Sequence, residues 1–171
     1  MSLDAVMDEV KQYGCSLVEV TGGEPLAQPA AFELITQLCE EGFDVLIETS
    51  GVIDVTPVDS RASVILDVKC PGSEMDDRMH WDNLRHLRQK DQVKFVIGDR
   101  QDYEWAVDVV KRYGLTEKCP VLFSPVFATK GNDDRCSLLR PLAEWLLQDR
   151  LHVRLQVQLH KYIWDADTRG V

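Results

Sequence analysis

The chain has 171 residues, 44% of them hydrophobic and 28% charged, and its 19 Lys and Arg against 29 Asp and Glu give a formal net charge of −10. This is the composition of an ordinary globular protein with one core, a single domain over residues 1–171. The acidity argues against a direct nucleic-acid binder, because each phosphate contact calls for a Lys or Arg and the basic residues here are scattered. No apolar run reaches the roughly 20 residues of a membrane span and the first residues do not read as a signal peptide, so a cytoplasmic protein with a small-molecule partner is expected.

Leu3, Val6, Met7 and Val10 recur at helical spacing, and Gly14 follows where a helix would stop. Ser16 to Val20 then reads as a strand. Phe32, Ile35, Leu38 and Cys39 repeat the helical pattern up to Gly42, and Phe43 to Ile47 is the next strand. Tyr103, Ala106, Val107 and Val110 make a third copy, with Gly114 and a strand from Pro120 to Phe123. A thrice-repeated succession of helix, glycine and strand is the pattern of parallel βα units. Further strands are predicted over Ser63 to Val68 and Gln92 to Ile97, with a short helix around Leu84 and Leu87 between them. A last helix carries Leu138, Leu142, Trp145 and Leu146. The stretch from Val153 to Leu159 alternates apolar and polar residues and is read as a final strand with a polar face that takes in Gln156, Gln158 and His160. The stretch from Pro71 to Asp82 is expected to be a polar, mobile loop.

In parallel α/β folds, ligands sit at the carboxyl ends of the strands. The segments there are Thr21-Gly22-Gly23-Glu24-Pro25, Glu48-Thr49-Ser50-Gly51, Asp67-Val68-Lys69-Cys70-Pro71-Gly72, Gly98-Asp99-Arg100, Ser124-Pro125-Val126 and His160-Lys161-Tyr162-Ile163-Trp164. In the first, two glycines bare the backbone and Glu24 adds a negative charge, a combination suited to an ammonium group. It matches neither phosphate template, GxGxxG or GxxxxGK[ST]. The second offers hydroxyls and a carboxylate of the kind that bind a ribose, although ordinary turns use the same residues. Asp67 and Lys69 fall on one side of their strand, as an internal ion pair or as a contact for a ligand carboxylate. Gln156, Gln158 and His160 suit a planar heterocycle. The five cysteines (Cys15, Cys39, Cys70, Cys119, Cys136) show no CxxC, CxxxC or CxH spacing and read as small buried hydrophobes in reduced form.

The TGGEP segment after a strand resembles the S-adenosylmethionine (SAM) motif of radical SAM enzymes. Together with ETSG, DVKCPGS, QVKFVIGD, LFSPVF and VRLQVQLHKYIW, it makes the chain similar, over its whole length, to the 7-carboxy-7-deazaguanine synthase family. The resemblance implies a partial (β/α) barrel of parallel strands that lacks its first strand. It also implies conversion of 6-carboxy-5,6,7,8-tetrahydropterin to 7-carboxy-7-deazaguanine and ammonia, on the route to queuosine. A reduced [4Fe–4S] cluster would cleave SAM, the resulting radical would take a hydrogen from the pterin, and Mg²⁺ would assist ring contraction. By position, Gly22, Gly23 and Glu24 would hold the methionine end of SAM, with Ser50, Asp67, Lys69, Ser124 and Pro125 lining the rest. Thr21, His160 and the terminal carboxylate of Val171 would contact the pterin. A homodimer and an external electron donor are implied as partners, and no direct contact with nucleic acid.

One departure from the family pattern is plain. The three closely spaced cysteines of the cluster, and the neighbouring Thr that contacts Mg²⁺, have no counterpart in this sequence, and three thiolates cannot be gathered from positions so scattered. The chain by itself is therefore expected to be inactive, with no metal ligands of its own and an open sheet edge able to pair with another copy. The alternatives are a radical SAM enzyme with another substrate, and a non-catalytic SAM- or nucleotide-binding remnant with a regulatory or scaffold role. A metal-free hydrolase built on Glu24 or His160 finds no nucleophile beside a base.

Overall fold

The computed structural model describes residues 1–73, 78–127 and 138–164, with His160 described by its backbone alone. Six strands form one sheet in strict chain order: β1 (Leu17–Val20), β2 (Asp44–Thr49), β3 (Ser63–Val68), β4 (Gln92–Ile97), β5 (Val121–Pro125) and β6 (Arg154–Leu155). Every neighbouring pair is parallel. A strand order that never reverses is that of a (β/α) barrel wall, whereas a doubly wound sheet turns back at a switch point.

The connecting helices are α1 (Leu3–Gln12), α2 (Pro29–Glu40), α3 (Asn83–His86), α4 (Arg100–Tyr113), α5 (Leu115–Lys118), α6 (Leu139–Asp149) and α7 (His160–Ile163). Their ends are written into the sequence. The Ser2 hydroxyl accepts the Ala5 N–H at 3.3 Å and starts α1. Asp99 does the same for α4 by accepting the Asp102 N–H at 2.9 Å, and Gly114, left-handed at φ 59°, stops it. None of the described helices is long and apolar enough to cross a membrane.

Register decides what each face of the sheet carries. Glu19 pairs with Leu46, Glu48 with Ile65, Asp67 with Lys94 and Lys94 with Leu122. Side chains alternate along a strand, so these residues, with Ser124, share one face. The opposite face carries Ile47, Leu66, Val93, Phe95, Ile97 and Phe123, all buried. They pack with Ile35 and Leu38 of α2, Ala106 and Val110 of α4 and Leu142 of α6. Right-handed crossovers between successive parallel strands bring the helices to that one side. Each large apolar side chain so buried contributes about 1.5–3 kcal/mol. The other side carries the charges, interleaved with Leu46, Ile65 and Leu122.

Two expectations change. The final strand is two residues long, not seven. After the Gln156 N–H reaches the Phe123 carbonyl at 2.9 Å, the next rung would need an N–H from Pro125, which has none; the ladder stops there, and His160 opens α7 where a strand end was expected. The described parts of the stretch from Pro71 to Asp82 are also anchored to the body. Pro71–Ser73 is a 3-10 turn, the His80 N–H donates to the Gly51 carbonyl at 2.9 Å, and Met79 is buried in the core.

Candidate functional site

The turn after β1 is built around glycine. Gly22 and Gly23 have φ of 99° and 60°, and a Cβ added to either would meet nothing within 4 Å. Backbone strain, not crowding, selects glycine here, and what faces the open side is bare peptide. The same turn is locked from behind. The Glu24 carboxylate accepts the Leu26 N–H at 3.1 Å, the Thr49 hydroxyl at 2.8 Å, the Ser50 N–H at 2.9 Å and the Ser50 hydroxyl at 2.5 Å. Glu24 is thus a clasp joining the turns after β1 and β2 rather than the free anion its sequence position suggested. The β2 turn is held from its far side by Asn83, fully buried. Its amide donates to the Gly51 and Ile53 carbonyls at 3.0 and 2.8 Å and accepts the Val55 N–H at 3.1 Å.

A cavity of about 500 Å³ opens at this end of the sheet, walled by Thr21, Gly22, Gly23, Glu24, Glu48, Ser50, Asp67, Lys69 and Arg78 among others. A second, of about 420 Å³, is walled by Glu48, Asp67, Lys69, Lys94, Gly98 and Gln158 among others. Glu48, Asp67 and Lys69 belong to both, so the two are halves of one trough along the carboxyl ends of β1 to β4. Asp102, at the start of α4, ties its wall together by accepting the N–H groups of Gly72 and Gly98, both at 3.0 Å.

Charged side chains pair across the floor of the trough. Lys69 pairs with Asp67 at 2.6 Å, which is the internal ion pair considered from the sequence, and Lys94 reaches from β4 to pair with Glu48. Yet Asp67 Oδ1, Ser124 Oγ and Gln158 Oε1 are buried without a hydrogen-bond partner among the described residues. An unsatisfied buried polar atom costs about 1–3 kcal/mol, and here two of the three residues, Asp67 and Gln158, line the trough as ready acceptors. Glu19 is exposed on β1, and partial desolvation of its carboxyl, then the negative charge of Glu48, raise its pKa against the pull of Lys94.

Seven of the residues singled out in the sequence are brought together in this way: Thr21, Gly22, Gly23, Glu24, Ser50, Asp67 and Lys69 all line one cavity. Ser124 is on the trough side of the sheet but buried below it. Pro125 is not in the trough wall; it shares the helix-covered face with Phe123 and pairs with Ile97. The His160 side chain and Val171 lie outside the described residues, as does Cys136. Lys94 and Glu19 were missed. Their signal was present in the alternation of Glu19, Glu48, Asp67 and Lys94 with apolar neighbours, which was read only in the last strand.

No protein-family model matches the chain. Curated relatives do. A 7-carboxy-7-deazaguanine synthase of Chlorobaculum tepidum is 40% identical over 174 residues, spanning all of this chain and 76% of the relative. One of Koribacter versatilis is 41% identical over 179 residues, spanning all of this chain and 79% of the relative. The chain belongs to the 7-carboxy-7-deazaguanine synthase family. Its fold is also similar to that of Streptococcus suis SuiB, solved bound to S-adenosylmethionine, with a TM-score of 0.61 at 14% identity over 90% of this chain and 40% of that one. The likeness is one of fold, and with the unbroken order of parallel strands it accords with the expected partial (β/α) barrel.

The [4Fe–4S] cluster expected of the 7-carboxy-7-deazaguanine synthase family does not fit the described residues of this member. Cys15 is exposed while Cys39, Cys70 and Cys119 are buried, and among the described residues no three His, Cys, Asp or Glu come together as a metal site.

Proposed function

We propose that the trough binds S-adenosylmethionine beside a 6-carboxytetrahydropterin, and that the chain serves the ring contraction of that pterin to 7-carboxy-7-deazaguanine with loss of ammonia, a carbon–nitrogen lyase reaction. One observation carries the reading: bare backbone at Gly22 and Gly23 and partnerless acceptors on Asp67 and Gln158 line one trough at the carboxyl ends of the strands. A ligand rich in N–H and O–H donors satisfies them, and an adenosyl group with an ammonium tail is such a ligand.

S-adenosylmethionine supplies the radical-generating adenosyl group in this chemistry. The chain's residues do the rest by holding. The carbonyls of the Thr21–Gly23 turn, kept in place by the Glu24 clasp, receive the ammonium end. Ser50 Oγ, its own proton given to Glu24, and Asp67 accept from the ribose hydroxyls, and Lys69, though paired with Asp67, offers its remaining N–H groups to a carboxylate. Thr21, His160 and Val171 remain the proposed pterin contacts. No step is assigned to an iron–sulfur cluster or Mg²⁺, since no described residues form a site for either. Cytoplasmic location, a homodimer, an external electron donor and the absence of nucleic-acid contact complete the proposal.

A second reading, a SAM-binding protein without catalysis, is favoured by the scatter of the cysteines. One experiment separates the two. Titration calorimetry with SAM is followed by anaerobic incubation with SAM, dithionite, Mg²⁺ and 6-carboxytetrahydropterin, reading 7-carboxy-7-deazaguanine by mass. The 171-residue chain is run beside a form extended to the length of its relatives. SAM binding by both, with product from the longer form alone, supports the synthase reading. Binding by both with product from neither supports the second, and no SAM binding overturns both.

A further inference from the structure

Lys94 has no part in the roles assigned above. It lies within β4, between Val93 and Phe95, both fully buried on the helix-covered face. Its own side chain points the other way and is only 14% exposed. An ammonium so far out of water keeps its charge only beside an acid. Two acids stand on its face of the sheet. Asp67 is its register partner on the adjacent strand β3, and Glu48 lies one strand further, on β2. Lys94 passes the nearer acid and pairs with the farther one, through Glu48 Oε1.

The choice of acid is informative. Lys69 holds Asp67 through Oδ2, and Asp67 Oδ1 is buried without a partner among the described residues. A lysine that served only to neutralise the floor would be satisfied there, on the neighbouring strand. Reaching to β2 instead leaves Asp67 Oδ1 open and puts the cation on a carboxylate that walls both halves of the trough. A glutamate side chain left to itself samples several rotamers, and ordering it on binding costs affinity. Glu48 is restrained at both ends. Its backbone runs into Thr49 and Ser50, which are clasped to Glu24, and Lys94 holds its carboxylate.

We propose that Lys94 is a positioning residue: from β4 it fixes the Glu48 carboxylate where the two halves of the trough meet, so that the acid is already in place when a ligand arrives. Lys94 touches the ligand only through Glu48. The inference rests on the trough being the ligand site proposed above, and its test keeps the two apart.

Two readouts test it in the 171-residue chain. The first is calorimetry with SAM and, separately and anaerobically, with 6-carboxytetrahydropterin. Glu48→Gln identifies the probe that touches this carboxylate, and a Glu48→Gln variant that binds both as the wild type does overturns the proposal. For the probe so identified, Lys94→Met is expected to bind about tenfold more weakly, the worth of one hydrogen bond. Lys94→Arg, which keeps a cationic donor, is expected to recover most of that loss. In the Glu48→Gln background Lys94→Met is expected to add nothing, because the residue it acts through is gone. A further loss of the same size there overturns the proposal, as does unchanged affinity in Lys94→Met alone. If the single Met variant does not fold by circular dichroism, the double variant, which buries no unpaired charge, carries the comparison and must bind as Glu48→Gln does. The second readout needs no ligand. The ¹H–¹⁵N signal of the Lys94 ammonium is expected to move strongly in Glu48→Gln and little in Asp67→Asn; the reverse pattern puts Lys94 on Asp67 and overturns the proposal. If the wild type binds neither probe, the ligand reading of the trough falls and takes this role with it. That result differs from failure of Lys94 alone, in which wild type and variants bind equally well.

Discussion

The Thr49 hydroxyl donates to the Glu24 carboxylate at 2.8 Å from 25 positions further along the chain. That contact closes the turn after β1 onto the turn after β2, and three further donors converge on the same carboxylate. Replacing Glu24 by Ala leaves buried or half-buried donors without an acceptor, and stability is expected to drop by about 1–3 kcal/mol, as read by urea denaturation. SAM affinity is expected to fall as well, because the glycine turn loses its support. Glu24→Gln lies between the two, since its amide nitrogen faces N–H and O–H donors it cannot accept from. A Glu24→Ala, Thr49→Val double variant losing much less than the sum of the single changes would establish the contact as direct.

The clasp shows how far the sequence carries. Helix, glycine and strand were legible because 3.6- and 2-residue periodicities are local, and Ser63–Val68 and Gln92–Ile97 fall where they were read. The rim residues were legible too, since the carboxyl ends of parallel strands point one way whatever the details. What Glu24 does there was not. All its partners but the Leu26 N–H come from Thr49 and Ser50 at the end of β2, and only the parallel register of β1 with β2 brings them near. Lys94 was hidden for the same reason: a single charge in a strand reads as a solvent-facing residue until register places it among other charges, as it places Lys94 beside Glu48. The overlong last strand failed on one missing N–H, at Pro125, in a neighbouring element.

Gly51 has φ 74°, and a Cβ there would stand 2.8 Å from Leu66 Cδ1. Strain and collision act together, and the flexible end of Leu66 yields only into a core with little free space. Gly51→Ala is expected to cost about 1–3 kcal/mol, measured by thermal or urea unfolding. Because the Gly51 carbonyl also receives the Asn83 amide, the variant should loosen the trough floor and raise amide exchange at Val55, whose N–H is held by the same Asn83 side chain.

The cysteines predict their own chemistry. Cys15 is exposed, whereas the Cys119 thiol is pushed up to about 11, chiefly by burial and then by the nearby charge of Asp91, against Lys118. The thiolate is the reacting form. Brief iodoacetamide treatment of the native chain at mildly alkaline pH should label Cys15 and spare Cys119, with peptide mass spectrometry assigning the sites. Fast labelling of Cys119 would mean that the end of the sheet where it lies opens readily.

Asp91 governs the acid side of the stability curve. It is buried, which by itself would raise its pKa, but hydrogen bonds from the Arg88 guanidinium, from the N–H groups of Val64 and Arg88, and the Arg88 charge outweigh that and hold it below the usual carboxylate range. The geometry is a two-pronged grip, Arg88 Nε on Oδ2 and Nη2 on Oδ1, both at 2.9 Å, while the same guanidinium reaches the carbonyls of Ser60 and Ala62. A carboxylate whose folded pKa is depressed stabilises the fold fully above its unfolded value, near 4, and loses that contribution as pH falls toward the depressed folded value. Urea midpoints measured from neutral pH downward should therefore fall through the acid range. Asp91→Asn should be less stable at neutral pH, because it leaves Arg88 without its counter-charge, and its decline with acid should be shallower. A decline as steep in Asp91→Asn as in the wild type would assign the acid sensitivity to other carboxylates, Asp59 first among them, whose pKa the Arg61 side chain and N–H lower to about 2.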